Sequence, residues 1–235
     1  MRILVVASDR MEFPGILAQA KATSEVKTSL RWARAANVRG NEMLLAANGV
    51  GVSRAAAAVD QALQVFPAEA VVSTGFCGAL RKEISVADLV VASAVMGGGK
   101  QHATWPLANP RMGGASVHRG VVSTVDHVVQ TAEEKGRLAA EGATAVEMEA
   151  AGVAERASAH GLPFSCVKAV TDLASETLVN DYNRALREDG YFDTIILLRG
   201  TLRHPLVRIR ELLRLRERCV QAAGTLGEFF ADLRF

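Results

Sequence analysis

Short apolar runs alternate along the chain with segments in which apolar residues recur at helical spacing. Runs with the length of buried strands occupy residues 3–7, 28–38, 42–47, 70–74, 88–96, 115–123, 143–146 and 164–170. A turn at residues 39–41 joins the second and third of these strands into a hairpin. Helical spacing is found over residues 16–21, 55–65, 127–140 and 148–160. This alternation is typical of α/β folds, in which helices cover a sheet.

The composition predicts one domain that spans residues 1–235, with a core over 1–174 and a C-terminal helical extension over 175–235. A chain of 235 residues with 49% hydrophobic residues can bury one sizeable core. Its net charge of +2 argues against a surface built for nucleic acid, so nucleic acid is not an expected partner. The three cysteines, Cys77, Cys166 and Cys219, lie far apart and predict reduced thiols.

Neither end of the chain suggests a membrane-spanning or secretory segment. The first apolar run, residues 3–7, is too short for the core of a signal peptide and is better explained as a first strand. No run reaches the roughly 18 to 20 apolar residues of a membrane span. We therefore expect a cytoplasmic protein.

Acidic residues follow two of the predicted strands. Glu147 and Glu149 flank Met148 at a strand-to-helix junction, and Asp172 ends the strand that begins at Phe164. Junctions of this kind carry ligand sites in open parallel sheets, so we expect these carboxylates to converge. The structural alternative is that the two glutamates favour the positive end of the following helix and that Asp172 caps a turn.

Glycine-rich segments follow two other strands, and a further acid, Glu12, lies just past the first strand. The segment at residues 48–56 contains Gly49 and Gly51 but lacks both the dinucleotide pattern and the Gly-Lys-Ser/Thr of a P-loop, so nicotinamide and ATP are not supported. The segment at residues 75–80 could instead present Cys77 as a nucleophile on a sharp turn. That hypothesis needs a nearby histidine and an orienting acid.

The run Val-Glu-Met-Glu-Ala at residues 146–150, followed by Lys-Ala-Val-Thr-Asp at 168–172, resembles the nucleoside phosphorylase and nucleosidase superfamily. The catalytic pattern is most similar to that of the methylthioadenosine/S-adenosylhomocysteine nucleosidases, and the resemblance covers residues 1–174. It implies a three-layer α/β/α fold with a central mixed twisted sheet, plus a C-terminal helical tail. It also implies a purine nucleoside substrate, a homodimer, and neither a metal nor an organic cofactor.

The resemblance assigns roles to the acids. Asp172 would be the general acid toward the purine N7, and Glu12 would draw a proton from the attacking water. Glu149 would hold the ribose hydroxyls, with Met148 against the sugar. Glu147 is a further substrate-binding candidate, although it could instead hold the neighbouring helix. To act as an acid, Asp172 needs burial or a hydrogen bond that favours its neutral form.

The rest of the pocket also follows from the resemblance. Gly75 and Phe76 would contact the ribose, and Val128 and Val129 would line the base pocket, with Val128 in place of the family's aromatic residue. Phe76 replaces a Ser or Thr that binds phosphate in phosphorylases, and Ser73 replaces their phosphate-binding Arg. These departures favour water as the nucleophile, with phosphate as the alternative. A nucleoside-binding protein without turnover is the competing class.

The C-terminal region predicts one or two helices over residues 178–202, broken near Gly190, and then a basic amphipathic helix. Such a helix either packs one face on the domain or contacts an anionic membrane surface, here the inner face of the membrane. Residues 198–206 resemble the end of the hopanoid-associated phosphorylases, a branch of the same superfamily that acts on an adenosyl-lipid. The basic residues that give this helix its charge are Arg199, Arg203, His204, Arg208, Arg210, Arg214, Arg216 and Arg218.

Overall fold

The computed structural model describes residues 1–108, 113–201 and 205–233. Within these ranges the chain forms eleven strands, seven α-helices and a 3-10 helix at Arg10–Glu12. The strands are β1 (Arg2–Ala7), β2 (Ala22–Glu25), β3 (Trp32–Val38), β4 (Asn41–Ala47), β5 (Ala70–Ser73), β6 (Phe76–Ala79), β7 (Leu89–Gly97), β8 (Lys100–Ala103), β9 (Val117–Thr124), β10 (Ala143–Glu147) and β11 (Phe164–Asp172). The helices are α1 (Pro14–Ala18), α2 (Val52–Leu63), α3 (Ala132–Ala140), α4 (Ala150–Ala159), α5 (Tyr182–Ala185), α6 (Thr194–Thr201) and α7 (Pro205–Ala231).

All eleven strands belong to one mixed sheet, in the order β2-β3-β4-β1-β5-β11-β6-β10-β9-β7-β8. β1 runs parallel to β4 and β5, and β5 runs parallel to β11. The nine-residue β11 also pairs with β6 and, antiparallel, with β7, so that β11, β6, β10, β9 and β7 form a closed ring. The long strand β11 therefore belongs both to the open part of the sheet and to the ring.

Helices cover both faces of this sheet. The alanine-rich faces of α2 and α4 pack on one side, where Ala58, Val59 and Ala154 are buried among strand residues. α1 and the C-terminal half of α7 pack on the other side, where Phe229 and Phe230 are fully buried. Burying the apolar stripe of each helix against the sheet is the main source of stability in such layers. The predicted α/β class, with a mixed sheet between two helical layers, is confirmed.

Several local predictions differ from the structure. Residues 76–79, predicted as part of a glycine turn, form strand β6. Strand β8, which forms a hairpin with β7, was not among the predicted strands. α3 begins at Ala132 and not at residue 127, because Thr131 is its N-cap and its hydroxyl accepts a hydrogen bond from the Glu134 amide. β2 was not predicted, since its four residues are all exposed and carry no apolar signal.

The C-terminal extension packs on the core and reaches the sheet. The guanidinium of Arg218 in α7 donates to the Thr171 carbonyl of β11 at 3.3 Å and forms a two-nitrogen ion pair with Glu176. The first half of α7 is largely exposed, whereas its second half is buried in the core. Arg203 and His204 of the predicted basic helix lie outside the described residues. Among the described helices, none is long and apolar enough to cross a membrane.

Candidate active site

A cavity of about 320 Å³ lies where β1, β10 and β11 end, and the first residues of β6 line it. Its walls are completed by the segment between α3 and β9 and by residues of the C-terminal extension, among them Cys219 of α7. The predicted catalytic and binding residues Glu12, Met148, Glu149 and Asp172 all contribute to this one cavity. The acids predicted to converge from distant parts of the chain are thus brought together. The carboxylates that line it are Asp9, Glu12, Glu147, Glu149 and Asp172.

Strand β6 brings the two acidic strand ends together. β10 and β11 are not adjacent in the sheet, because β6 lies between them, antiparallel to β10 and parallel to β11. Gly78 of β6 is in register with Val146 on one side and Asp172 on the other. A Cβ atom at Gly78 would lie 2.8 Å from Oδ2 of Asp172. A glycine is therefore needed here for the carboxyl group of Asp172 to approach the strand.

Glu12 is held by a set of backbone donors at the carboxyl end of β1. Its Oε2 accepts hydrogen bonds from the amides of Ser8 and Asp9, both at 2.8 Å, and its Oε1 accepts one from the Phe76 amide at 2.8 Å. Gly75 leaves the space for this, since a Cβ there would lie 2.2 Å from Oε1. Burial raises the pKa of Glu12, while Lys168 and these donors oppose the rise. A fixed carboxylate with a raised pKa suits proton acceptance.

Glu147 binds protein groups on both oxygens. Its side chain accepts hydrogen bonds from the Thr124 hydroxyl at 2.5 Å and from the amides of Glu149 and Ala150 at the start of α4. Its Oε2 also lies 2.8 Å from Nζ of Lys168. These contacts fit the alternative given for this residue, in which it holds the neighbouring helix.

Lys168 is a buried cation that the sequence reasoning missed. Its side chain is 1% exposed and also donates to the Thr74 carbonyl at 2.8 Å. Nζ also lies 4.0 Å from Oε2 of Glu149, so the ammonium of Lys168 is close to the carboxylates of both Glu147 and Glu149. A lysine inside the apolar run of β11 was the available signal, because lysine is almost never fully buried without a partner.

Glu149 lies one residue before α4 and faces the cavity. Its Oε1 accepts a hydrogen bond from the Gly51 amide at 3.1 Å, at the start of α2. Burial, followed by the nearby charge of Glu147, raises the pKa of Glu149 to about 8, against the opposing effect of Lys168. The segment at residues 48–56 therefore supplies a backbone contact to an acid.

Asp172 is in contact with a second buried lysine, Lys135 of α3. Lys135 is 0% exposed, and its ammonium contacts Oδ2 of Asp172 and donates to the Leu173 carbonyl at 2.8 Å. The Thr171 hydroxyl donates to Oδ1 at 3.1 Å. This ion pair favours the ionised carboxylate, whereas the sequence predicted burial or a hydrogen bond that favours the neutral form. Asp172 itself is 14% exposed and borders the cavity.

The apolar part of the cavity contains the other predicted binding residues and two that were missed. Phe76, Met148, Val128 and Val129 line it, whereas Gly75 acts through the space that it leaves for Glu12. The backbone of Val128 is occupied by Asn183, whose side chain both accepts from and donates to it. Besides Phe76, the cavity has the aromatic rings of Tyr191 and Phe192, which belong to the segment after α5.

The structure does not favour Cys77 as a nucleophile. Its thiol is buried, and burial together with the charge of Asp172 raises its pKa well above the ordinary value. A nucleophilic cysteine needs an electropositive environment that favours the thiolate. Here burial and the carboxylate of Asp172 outweigh the opposing effect of Lys168, so the environment favours the neutral thiol.

The cavity has little capacity for a phosphate dianion. Among its described lining residues there is no Lys or Arg, and both buried lysines lie behind carboxylates. His127 is the basic residue that lines it; hydrogen bonds to Asp126 and Glu134 raise the pKa of this imidazole. Ser73, the second position singled out for phosphate, is buried away from the cavity. In the described ranges no cluster of His, Cys, Asp and Glu has the makings of a metal site.

Comparison with known proteins places this geometry in a family. The family model of the phosphorylase superfamily matches residues 2–190. The 5'-methylthioadenosine/S-adenosylhomocysteine nucleosidase of Haemophilus influenzae is 26% identical over 161 residues, which are 57% of this chain and 70% of the relative. The nucleosidase of the same description from Bacillus cereus is 24% identical over 189 residues, 68% of this chain and 80% of the relative.

Solved structures show the same fold. The 5'-methylthioadenosine/S-adenosylhomocysteine nucleosidase of S. pneumoniae, solved with the transition-state inhibitor MT-ImmA, matches with a TM-score of 0.72 at 18% identity and covers 99% of both chains. The futalosine hydrolase of Helicobacter pylori matches with a TM-score of 0.68 at 17% identity, over 97% of this chain and 96% of that one. Since the family model spans most of its length, the chain belongs to the phosphorylase superfamily, as its sequence motifs predicted.

Proposed function

We propose that this protein is an N-glycosyl hydrolase that cleaves an adenine nucleoside into adenine and a 5-substituted ribose. The observation that carries the proposal is the convergence of Glu12, Glu149 and Asp172 on one cavity whose described lining has no Lys or Arg. The similarity to nucleosidases of the same superfamily supports the reaction type. The acidic lining supports water over phosphate, because an anionic nucleophile would meet several carboxylates, and His127, the basic residue of the lining, is already paired with Asp126 and Glu134.

The chemistry divides among the three acids. As the bond between ribose C1′ and purine N9 breaks, its electron pair passes to the base. Asp172 delivers to N7 a proton that it must first take up against its ion pair with Lys135, so that adenine leaves neutral. Glu12 takes a proton from the water whose oxygen bonds to C1′. General acid and base groups of this kind each contribute roughly 10²–10⁴-fold.

Glu149 and Met148 would hold the sugar. Burial and the charge of Glu147 raise the pKa of Glu149 to about 8, so its carboxyl group takes up a proton more readily than an ordinary glutamate, and in that form it both donates to and accepts from ribose hydroxyls. Met148 presents a soft, polarisable thioether to the flat oxocarbenium-like sugar. Phe192 and Tyr191 offer an aromatic surface in the same cavity as the base-pocket candidates Val128 and Val129.

Product analysis tests the proposal. The protein is incubated with methylthioadenosine, S-adenosylhomocysteine or an adenosyl-lipid, each with and without phosphate, and free adenine is measured. Adenine release without phosphate is expected from at least one substrate. Asp172→Asn should retain nucleoside binding and lose at least about 100-fold in turnover. If no substrate releases adenine, the enzyme proposal fails and nucleoside binding without turnover is the remaining function. A strict requirement for phosphate would refute hydrolysis.

A second candidate is phosphorolysis of an adenosyl-lipid at an anionic membrane surface. The first half of α7 exposes Leu206, Ile209 and Leu213 on one side, with Arg210 and Arg216 exposed beside them. Apolar side chains among arginines match an interfacial helix. Cosedimentation with anionic vesicles, but not with zwitterionic ones, is expected for membrane contact. Equal recovery with both, or with neither, would reject it.

The oligomeric state and the cellular location of the protein are further parts of the proposed function. We propose a homodimer in the cytoplasm, with any membrane contact limited to α7. Sedimentation equilibrium at several concentrations gives the mass of the particle, and a single species of 25.0 kDa would reject the dimer.

A further inference from the structure

The reaction proposed above leaves one electrostatic problem in the cavity. When Asp172 gives up its proton, a negative charge forms on a carboxyl group that shares the cavity with Glu12, Glu147 and Glu149. Like charges that share a poorly solvated cavity disfavour one another, and Lys168 offsets only the charges of Glu147 and Glu149, which it contacts. A cation that faces Asp172 would remove this penalty.

Lys168 is not that cation. Its ammonium lies 2.8 Å from Glu147 and 4.0 Å from Glu149, and its third contact is the Thr74 carbonyl. Arg218, from α7, points to the Thr171 carbonyl and is held by Glu176. Neither of these cations has a direct contact with the carboxyl group of Asp172.

Lys135 has this contact and is held in place for it. Its ammonium contacts Asp172 and the Leu173 carbonyl, and the side chain is wholly buried. Its backbone amide donates to the Thr131 carbonyl at 3.0 Å in the first turn of α3. The Thr177 hydroxyl accepts a hydrogen bond from the Ala132 amide at 3.1 Å, which ties the start of α3 to the segment that follows β11.

We propose that Lys135 is a positioning residue for the general acid: it fixes the carboxyl group of Asp172 beside the departing base and stabilises the carboxylate left after proton transfer. This inference rests on the proposed function, since it gives Lys135 a purpose only if Asp172 protonates a leaving group. Lys135 touches neither substrate nor nucleophile and acts through Asp172. Its effect must therefore depend on how much the leaving group needs a proton.

That dependence gives a test that a purely structural role would fail. Adenine needs a proton to leave, whereas 4-nitrophenolate leaves as a stable anion. Lys135→Met is compared with the unaltered protein on an adenine nucleoside and on 4-nitrophenyl riboside. We expect kcat for adenine release to fall about 10- to 100-fold with KM little changed, and kcat for nitrophenolate release to stay within about threefold.

Three further variants make the result interpretable. Arg137→Met, an exposed position on the same helix, should change neither activity. Lys135→Arg should recover part of adenine release, because it restores a cation next to Asp172. Asp172→Asn should show the same preference for nitrophenolate as Lys135→Met, with a larger loss. Thermal melts of every variant report on folding.

These measurements distinguish a failure of the role given to Lys135 from a failure of the proposed function. The role given to Lys135 is refuted if Lys135→Met loses activity equally on both substrates, or if its adenine release is unchanged. In either case the proposed function still stands, provided that Asp172→Asn loses adenine release selectively. Should Lys135→Met fail to fold, Lys135→Arg is compared with the unaltered protein on both substrates: a loss confined to adenine release supports the inference, and equal losses on both substrates refute it. If Asp172→Asn releases adenine normally, the proposed function fails first.

Discussion

Replacing Lys168 by Met should destabilise the protein through its buried acids. In the native structure Nζ of Lys168 lies 2.8 Å from Glu147 and 4.0 Å from Glu149, and its side chain is 1% exposed. The same ammonium opposes the burial that raises the pKa of Glu12. A methionine of similar length fills the space but leaves these carboxylates without a buried counter-charge.

The loss of stability in Lys168→Met can be estimated from the buried carboxylates that lose their counter-charge. Removing one partner of a buried ion pair typically costs about 3–5 kcal/mol, because the other charge stays desolvated. For a domain of this size, each kcal/mol lowers Tm by about 2–4 °C, so a fall of roughly 6–20 °C is expected. Urea unfolding followed by circular dichroism gives the free energy of unfolding directly.

Two comparisons show whether the buried charge causes the loss. Lys100→Met, which removes an exposed lysine 4.0 Å from Glu155, should cost less than about 0.5 kcal/mol. Adding Glu147→Gln to Lys168→Met should recover part of the stability, because one uncompensated carboxylate is then neutral. A loss in Lys168→Met no larger than in the Lys100 control, or strict additivity in the double variant, would refute the reasoning.

Three other predictions follow from the site. Gly75→Ala places a Cβ 2.2 Å from Oε1 of Glu12 at a residue with φ of 111°, so turnover should fall at least about 10-fold in steady-state assays of adenine release; unchanged kcat would contradict this. The pKa of Glu149 is raised from 4.5 to about 8, so its contribution to stability is complete below pH 4.5 and is lost as pH rises through 8. Glu149→Gln should flatten that fall in urea melts at pH 5 and pH 8.5, and parallel curves would argue against it. Cys77→Ala should keep turnover within about threefold, and a loss above 100-fold would restore the thiol hypothesis.

The sequence by itself determined the elements and the candidate chemistry. Continuous apolar runs such as Leu4–Val6 and Ala70–Val72 have the length and the β-branched residues of buried strands, so most strands were placed to within a few residues. Glu149 and Asp172 were singled out as acids at the ends of predicted strands, whereas the functional interpretation of Glu12 and the roles of all three acids came from the resemblance to the nucleosidases. Their arrival at one cavity confirms the expected convergence, whereas their individual roles stay predictions.

Only the tertiary structure decided how the strand ends meet. Four residues, Phe76–Ala79, form a strand between β10 and β11, and Gly78 is in register with both Val146 and Asp172. Local periodicity cannot reveal such a pairing, because a four-residue segment with two small residues has no pattern that distinguishes a strand from a turn.

The buried cations were likewise decided by tertiary structure. Lys135 belongs to a helix with a polar composition, and Asp172 lies 37 residues further along the chain. Whether a lysine is solvated or paired in the interior depends on which carboxylate the fold brings within reach, and no local rule gives that distance. The sequence supplied the acids, and the fold supplied the charges that allow them to be buried together.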